Sequence, residues 1–460
     1  MKKLSCFKAY DVRGIVDEDL NEDITYRIGR SFVKVLKAKI VVVGKDNRPS
    51  STNLNEALIN GILDEGADVL DLGLCGTEEV YFATSNYNAS GGIEVTASHN
   101  PIKYNGLKMI GKMSCPLDST REFLRIKEVA ENDSFEKKKE KGKYQDVSKS
   151  SRELYIKKIL SFVDPKTFKE NKIVVNSGNG AAGPTFDKID NALKKVKNVL
   201  KFERMYHEPN SNFPHGVPNP MLKQNQLATS RKVIESKSNF GIAFDGDFDR
   251  CFFFDENGDF VSGQYIVCLI AEKFLRQVGK ETIVHDPRVV WSIQNTVSKF
   301  GGKSVAAKTG HAFLKSKMRE FNAIYGGEMS AHHYFRDFCY SDSGMIPWLV
   351  IVELLSKTDQ TLSQIVESLK NAFPSSGEIN FKIPNPSRIL EKIYFRYKKK
   401  ALLTERLDGI SVSFKDWRFN MRASNTEDLV RLNVETRGNH HLLHEKTSEL
   451  TDIINNKINY

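Results

Sequence analysis

KIVVVG (39–44), DVLDLG (68–73) and GGIEVTAS (91–98) decide the fold. The first is a short continuous apolar run, the pattern of a strand covered on both faces. Helical stretches separate the three. Ile24, Ile28, Phe32 and Leu36 recur every four residues and make one apolar face, and 52–65 is a second helix-like stretch. Strand, helix, strand is βαβ grammar, so an α/β fold with a largely parallel sheet is expected. The grammar restarts twice. KIVVN (172–176) runs into NSGNGAAG (176–183), and GIAF (241–244) into DGDFDR (245–250), CFFFD (251–255) and the turn ENG (256–258). A third block reads helix 263–278, strand TIVHD (282–286), helix 288–300, strand SVAAKTG (304–310), AIYGGE (323–328) and helices 344–356 and 361–372. EKKKEKGKYQDVSKS (136–150) reads as a connection or a solvated helix end, and PSSGEINFKIPNPS (374–387) as a linker. The remainder is a smaller α+β block.

A chain of 460 residues implies about three domains. With 40% hydrophobic and 27% charged residues it belongs among folded chains, not disordered ones. The longest apolar runs, 265–271 and 348–352, fall far short of the ~20 residues of a membrane helix. MKKLSCFKAYDVRG (1–14) lacks the apolar core of a signal peptide. A cytoplasmic protein with no membrane partner is expected. Six cysteines without a CxxC pair fit free thiols better than a zinc site or disulfide framework. Lys+Arg 68 against Asp+Glu 58 leaves +10, which favours anionic partners such as phosphorylated metabolites. The lysines form no aromatic-interleaved stripe, so nucleic acid is not expected.

Four segments carry chemistry. In DGDFDR, Asp245, Asp247 and Asp249 repel one another unless a hard divalent cation joins them. They follow an apolar strand, at the end where α/β folds place ligands. An EF-hand fails because its sixth position is Arg250 where glycine is needed, and the flanks read as strands. Arg250 pairs with the acids or holds a phosphate. In TASHNP (96–101), Ser98 lies just past a strand, with His99 and Lys108 available for proton transfer. In GGEMSAHHYF (326–335), Glu328, Ser330 and His332 alternate, so an extended loop would turn all three to one side, toward sugar hydroxyls. In RASNTE (422–427), Arg422, Ser424, Asn425 and Thr426 have the inventory of a phosphate cradle or of a helix N-cap. GNGAAG (178–183), with Glu203 about 20 residues on, matches a dinucleotide fingerprint, which would make the chain an NAD-dependent oxidoreductase. The same glycines also suit a close strand–helix turn.

Together with FKAYDVRG (7–14), GTEEVYFAT (76–84), KTGHAF (308–313) and RASNTEDLVRLNVE (422–435), these segments resemble the α-D-phosphohexomutase superfamily, most closely its bacterial phosphomannomutase/phosphoglucomutase branch. The resemblance implies a four-domain architecture around a central cleft. Three similar mixed α/β domains (1–148, 149–256 and 257–373) precede a smaller α+β domain (374–460). It implies that Ser98 carries the transferable phosphate, and that Asp245, Asp247 and Asp249 hold Mg²⁺ together with the Ser98 oxygen. Arg13, His99, Lys108, Arg250 and His311 would serve charge neutralisation and proton transfer. Tyr10, Arg288, Glu328, Ser330 and His332 would contact substrate, with Arg422, Ser424, Asn425 and Thr426 on its non-reacting phosphate. The implied activity interconverts mannose 6-phosphate and mannose 1-phosphate through a hexose 1,6-bisphosphate, for GDP-mannose and polysaccharide synthesis, with glucose phosphates as the alternative substrates. A monomer or homodimer is expected. One departure stands out: Asp428 replaces the proline usual after the SNTE motif.

Overall fold

The computed structural model describes residues 3–423 and 429–456 and divides the chain into two compact units. One holds the chain up to Phe260 together with His332–Asp359; the other holds Val261–Ala331 and the chain from Gln360.

The first unit opens with a six-stranded sheet in the order Val12–Ile15, Tyr104–Gly111, Gly91–Val95, Ile40–Lys45, Asp68–Leu74, Tyr144–Asp146. Helix Glu22–Leu36 forms where the fourfold apolar spacing lies. Asn21 caps it, accepting from the Ile24 N–H at 2.9 Å, with Glu22 and Asp23 at its positive end. Its Ile28 and Phe32 are wholly buried, each contributing about 2–3 kcal/mol of apolar burial. The sheet is mixed, with three of its pairings parallel and two antiparallel. Ile40–Lys45 runs parallel to both neighbours, but Tyr104–Gly111 is antiparallel to Gly91–Val95. The loop 96–103 is too short for a crossover helix, so the chain must double back. The stretch 136–150 is more than a connection, for Tyr144–Asp146 extends the sheet and helix Ser148–Leu160 begins within it.

A second sheet in this unit runs Cys251–Phe254, Phe240–Phe244, Asn171–Asn176, Leu200–Met205. Phe244 faces Cys251 across an antiparallel pair, so DGDFDR is a hairpin loop between two buried strands.

In the second unit Thr282–His285 lies parallel to Lys303–Ala306 and to Tyr325–Gly327. The C-terminal sheet is wholly antiparallel: Ile379–Lys382, Leu429–Thr436, Trp417–Ala423, Ile410–Ser413, Leu403–Glu405. Helix Pro386–Tyr397 and helix His440–Asn456 accompany it, with Ile393, Phe419, Leu432 and Leu450 in the shared core. The expected linker 374–387 therefore contributes an edge strand. Its Ile379 and Phe381 pack with that core, which a solvated linker would not do. Among the described residues no helix is long and apolar enough to cross a membrane.

Candidate functional site

Ser98 sits past the end of Gly91–Val95 in the left-handed region, at φ 50°. That conformation is costly for a residue with a side chain, and it marks a functional turn. Two supports hold it. The Thr96 hydroxyl accepts from the Ser98 N–H at 2.8 Å, and Arg48 Nη2 donates to the Ser98 carbonyl at 2.8 Å. Arg48 also donates to the carbonyls of Asn100, Pro101 and Tyr104, so one buried guanidinium pins the whole turn. Arg13 adds a clamp from Val12–Ile15, reaching the Ala97 carbonyl at 3.2 Å and Asn100 Oδ1 at 2.6 Å. Tyr10 is half-buried on the bend before that strand.

The hairpin loop 245–250 meets this turn. Ser98 Oγ donates to Asp245 Oδ2 at 2.7 Å. A hydroxyl has one proton, so His99 Nδ1, at 2.9 Å, is the donor in its own contact with Oγ. A Cβ on Gly246 would come within 2.5 Å of the Ser98 carbonyl oxygen, so only glycine allows the two loops this approach. Behind it lies GNGAAG, whose Ala181 N–H donates to the Gly246 carbonyl at 3.1 Å. Gly180 is equally tight against Gly246, and Glu203 pairs with Lys172 and Lys232. The glycines thus serve loop packing, and the acid expected on a ribose is engaged by two lysines.

Asp245, Asp247 and Asp249 are all buried, and their ligand oxygens lie within 4.8 Å of one another. Burial and the other two aspartates push Asp245 up to about 7. Lys108, from Tyr104–Gly111, donates to Asp247 Oδ2 at 2.6 Å and to Asp249 Oδ2. Burial alone would lower Lys108, but the three aspartates outweigh it and hold the ammonium far above its ordinary value. Burial also favours protonation of Asp249, yet Lys108 keeps it well below the usual carboxylate range. Thr77 Oγ1 donates to Asp247 Oδ2 at 2.6 Å. The Oδ1 atom of each aspartate is buried and has no hydrogen-bond donor among the described residues. Three buried aspartates that come this close, each with an unsatisfied oxygen, fit a hard divalent cation.

Around the trio stand Arg250 and His99. Burial, then the cations of Arg250 and Arg13, push the His99 imidazole well below its ordinary value, so it is neutral near pH 7. Arg250 Nε donates to His332 Nε2 at 3.0 Å and lies 3.6 Å from Asp245 Oδ2.

The expected alternation of Glu328, Ser330 and His332 fails. Ala331 between them has φ 69°, which turns the chain. His332 then faces Arg250 and Asp249 in the first unit. Glu328 Oε1 accepts from the Gly310 N–H at 3.0 Å, and Ser330 Oγ accepts from Arg288 Nη2 at 3.3 Å, in the second. His311 begins helix His311–Glu320 directly after Gly310. Arg288 is fixed by Asp286 at 2.8 Å. Arg288, Arg422 and Arg431 converge on Glu378 at 3.4, 3.4 and 3.6 Å. Ser424, Asn425, Thr426 and the divergent Asp428 lie outside the described residues.

Sequence reading missed Arg48, Thr77, Asp286 and Glu378. Arg48 carried a usable signal, since it follows a buried strand as Ser98 does.

Models of the phosphoglucomutase/phosphomannomutase family match nearly the whole chain. Its alpha/beta/alpha domains I, II and III match residues 5–137, 153–258 and 262–373, and its C-terminal domain matches 378–452. A Vibrio cholerae phosphomannomutase is 49% identical over 460 residues, 99% of each chain. The chain belongs to the phosphoglucomutase/phosphomannomutase family. The fold agrees. A crystal structure of a family member from Burkholderia thailandensis superposes with a TM-score of 0.86 at 28% identity, covering 99% of this chain and 98% of that one. An Aspergillus fumigatus N-acetylphosphoglucosamine mutase, crystallised with glucose 1,6-bisphosphate, shares the fold alone, with a TM-score of 0.59 at 13% identity over 98% and 95% of the two chains.

Proposed function

We propose that the chain is a phosphomannomutase, interconverting mannose 6-phosphate and mannose 1-phosphate through phosphorylated Ser98 and a hexose 1,6-bisphosphate. The observation that carries this reading is the Ser98 hydroxyl, held in a left-handed turn and bonded to the first of three buried aspartates. Full-length similarity to a protein named phosphomannomutase supports the substrate. A bisphosphate bound by the Aspergillus mutase supports the intermediate.

Ser98 with Asp245, Asp247 and Asp249 would hold Mg²⁺, which supplies charge neutralisation at the phosphoryl oxygens. Arg250 and Arg13 add fixed positive charge beside them. In one transfer the bond from phosphorus to Ser98 Oγ breaks as the bond to a sugar oxygen forms. The proton of that sugar hydroxyl passes to a base; His99 is neutral, and with its Nδ1–H donating to Ser98 Oγ its unprotonated Nε2 is the ring atom that can take it. The return transfer reverses these bonds with the other phosphate. Lys108 is protonated and serves as the counter-cation of Asp247 and Asp249. Glu328, Ser330 and His311 would meet the sugar, and Arg288, Arg422, Ser424, Asn425 and Thr426 the phosphate not in transit. A cytoplasmic place in GDP-mannose supply belongs to the same reading, as do functional boundaries at 148, 256 and 373.

Ser98→Ala is the test. Turnover falls by at least about 10⁴-fold, since the nucleophile is gone, and the protein loses the mass of one phosphate. Wild-type activity in Ser98→Ala overturns the assignment.

A further inference from the structure

The Arg288, Arg422 and Arg431 cluster contains its own anion. Arg422 and Arg431 are directly opposite on antiparallel neighbours, Trp417–Ala423 and Leu429–Thr436. Like charges so placed repel. Arg288 joins them from the loop after Thr282–His285. Glu378 reaches all three: its Oε2 accepts from Arg288 Nη1 and Arg422 Nη2, and its Oε1 faces Arg431 Nη1.

The contacts are unequal in kind. Arg288 is bound to Asp286 at 2.8 Å, an ideal charge-assisted length. The three contacts to Glu378 run from 3.4 to 3.6 Å, well beyond it. Each guanidinium also keeps a buried Nε–H with no acceptor among the described residues. A carboxylate has two oxygens for these donors, whereas a phosphate has three and twice the charge. Burial would raise Glu378, but the three arginines hold it below its ordinary value, so it stays ionised. It follows Gly377, whose φ is 68° and whose Cβ position is open space.

We propose that Glu378 is a built-in competitor for the substrate's non-reacting phosphate, occupying the Arg288, Arg422 and Arg431 cluster between binding events and lowering its affinity. This rests on the mutase reading above. There, each phosphate of the bisphosphate must in turn leave the arginines, and a cluster with no internal anion would trap the intermediate. Glu378 limits that grip while adding to Asp286 on Arg288 and to Asp408, 3.9 Å from Arg422, in offsetting the mutual repulsion of three cations.

Calorimetric titration with inorganic phosphate and with mannose 6-phosphate tests this on the full chain. Without phosphate, Glu378→Gln melts below wild type, and phosphate raises its Tm by more. It binds phosphate about tenfold tighter, a modest effect for one screened charge. Both KM and kcat fall, because release slows. Glu378→Asp, with the charge retained but drawn back by one methylene, lies between. A structural prop would behave oppositely, with weaker binding and a higher KM. Equal or weaker phosphate binding by folded Glu378→Gln overturns the proposal. If that variant does not fold, equal or weaker binding by Glu378→Asp overturns it. Tighter phosphate binding without mutase turnover in the wild type would break the mutase reading and leave the competitor standing.

Discussion

At the 245–250 loop three carboxylates meet one lysine ammonium; around Glu378 three guanidinium groups meet one carboxylate. The acids are fully buried, and Lys108 and Arg250 leave them short of positive charge. The arginines, of which Arg431 is only half-buried, have Asp286 beside Arg288 and Asp408 3.9 Å from Arg422 in addition to the shared Glu378. The clusters also differ in how their charges are held. Thr77, Ser98 and Lys108 bind the aspartates at about ideal hydrogen-bond lengths, so the carboxylates are fixed before any cation arrives. The arginines touch their carboxylate only loosely. Rigid acids suit a resident ion that must not move during transfer. Long contacts to Glu378 suit arginines whose phosphate must come and go.

The largest effect belongs to the acidic cluster. Asp245→Asn removes one ligand, and turnover falls by about 10³-fold or more. In chelator the same variant should melt above wild type, because a buried carboxylate raised by two like charges is gone. Differential scanning in EDTA and a steady-state assay read the two halves. A variant that melts lower in EDTA would show that the three acids are not in conflict. Arg422→Ala answers for the basic cluster. Its KM for mannose 6-phosphate should rise about 10- to 100-fold, as for loss of a hydrogen bond to a charged group, with kcat nearly unchanged. Equal losses in kcat would erase the distinction between fixed acids and exchangeable bases.

The two clusters were also unequally legible. Asp245, Asp247 and Asp249 are adjacent in sequence, and a strand signal placed them at the right end of a sheet. Their repulsion was visible without a structure. Ser98 and Lys108 were found through the TASHNP segment, and the hairpin then brought both to the acids. The arginine cluster draws on positions 288, 378, 422 and 431, and only strand register brings them together. No local pattern announces that Arg422 faces Arg431, and Glu378 lay in a stretch read as linker because Pro, Ser and Gly surround it. The alternation at Glu328, Ser330 and His332 was a fair strand argument, undone by one left-handed residue, Ala331, that composition does not flag. Helix Gly263–Val278 matched its expected span because apolar spacing sets it, whereas the helix expected over 288–300 begins only at Trp291. Tertiary contacts explain the delay: the Glu435 carboxylate accepts from the Val290 and Trp291 N–H groups at 2.8 and 3.1 Å and so sets the N-terminus.

The smallest effect separates the clusters by the sign of their pH response. Asp286 is buried, which alone would raise it, but Arg288 holds it below its ordinary value. A carboxyl depressed on folding gives stability that is complete above its unfolded value, about pH 4, and is lost as pH falls through the folded one. Asp245 is the reverse. Its folded value, about 7, exceeds the unfolded one, so its contribution is complete in acid and is lost as pH rises toward neutrality. In metal-free protein, Asp286→Asn should therefore flatten the acid limb of Tm against pH below about pH 4, by about 2–4 °C, and leave the neutral limb alone. Asp245→Asn should flatten the decline between about pH 5 and 7 and leave the acid limb alone. Saturating Mg²⁺ removes the second effect and spares the first, since a cation among the aspartates favours their ionised forms and does nothing for a carboxyl already matched to arginine. If both variants changed the same limb, the opposition between an acid cluster short of cations and a basic cluster matched by carboxylates would fail.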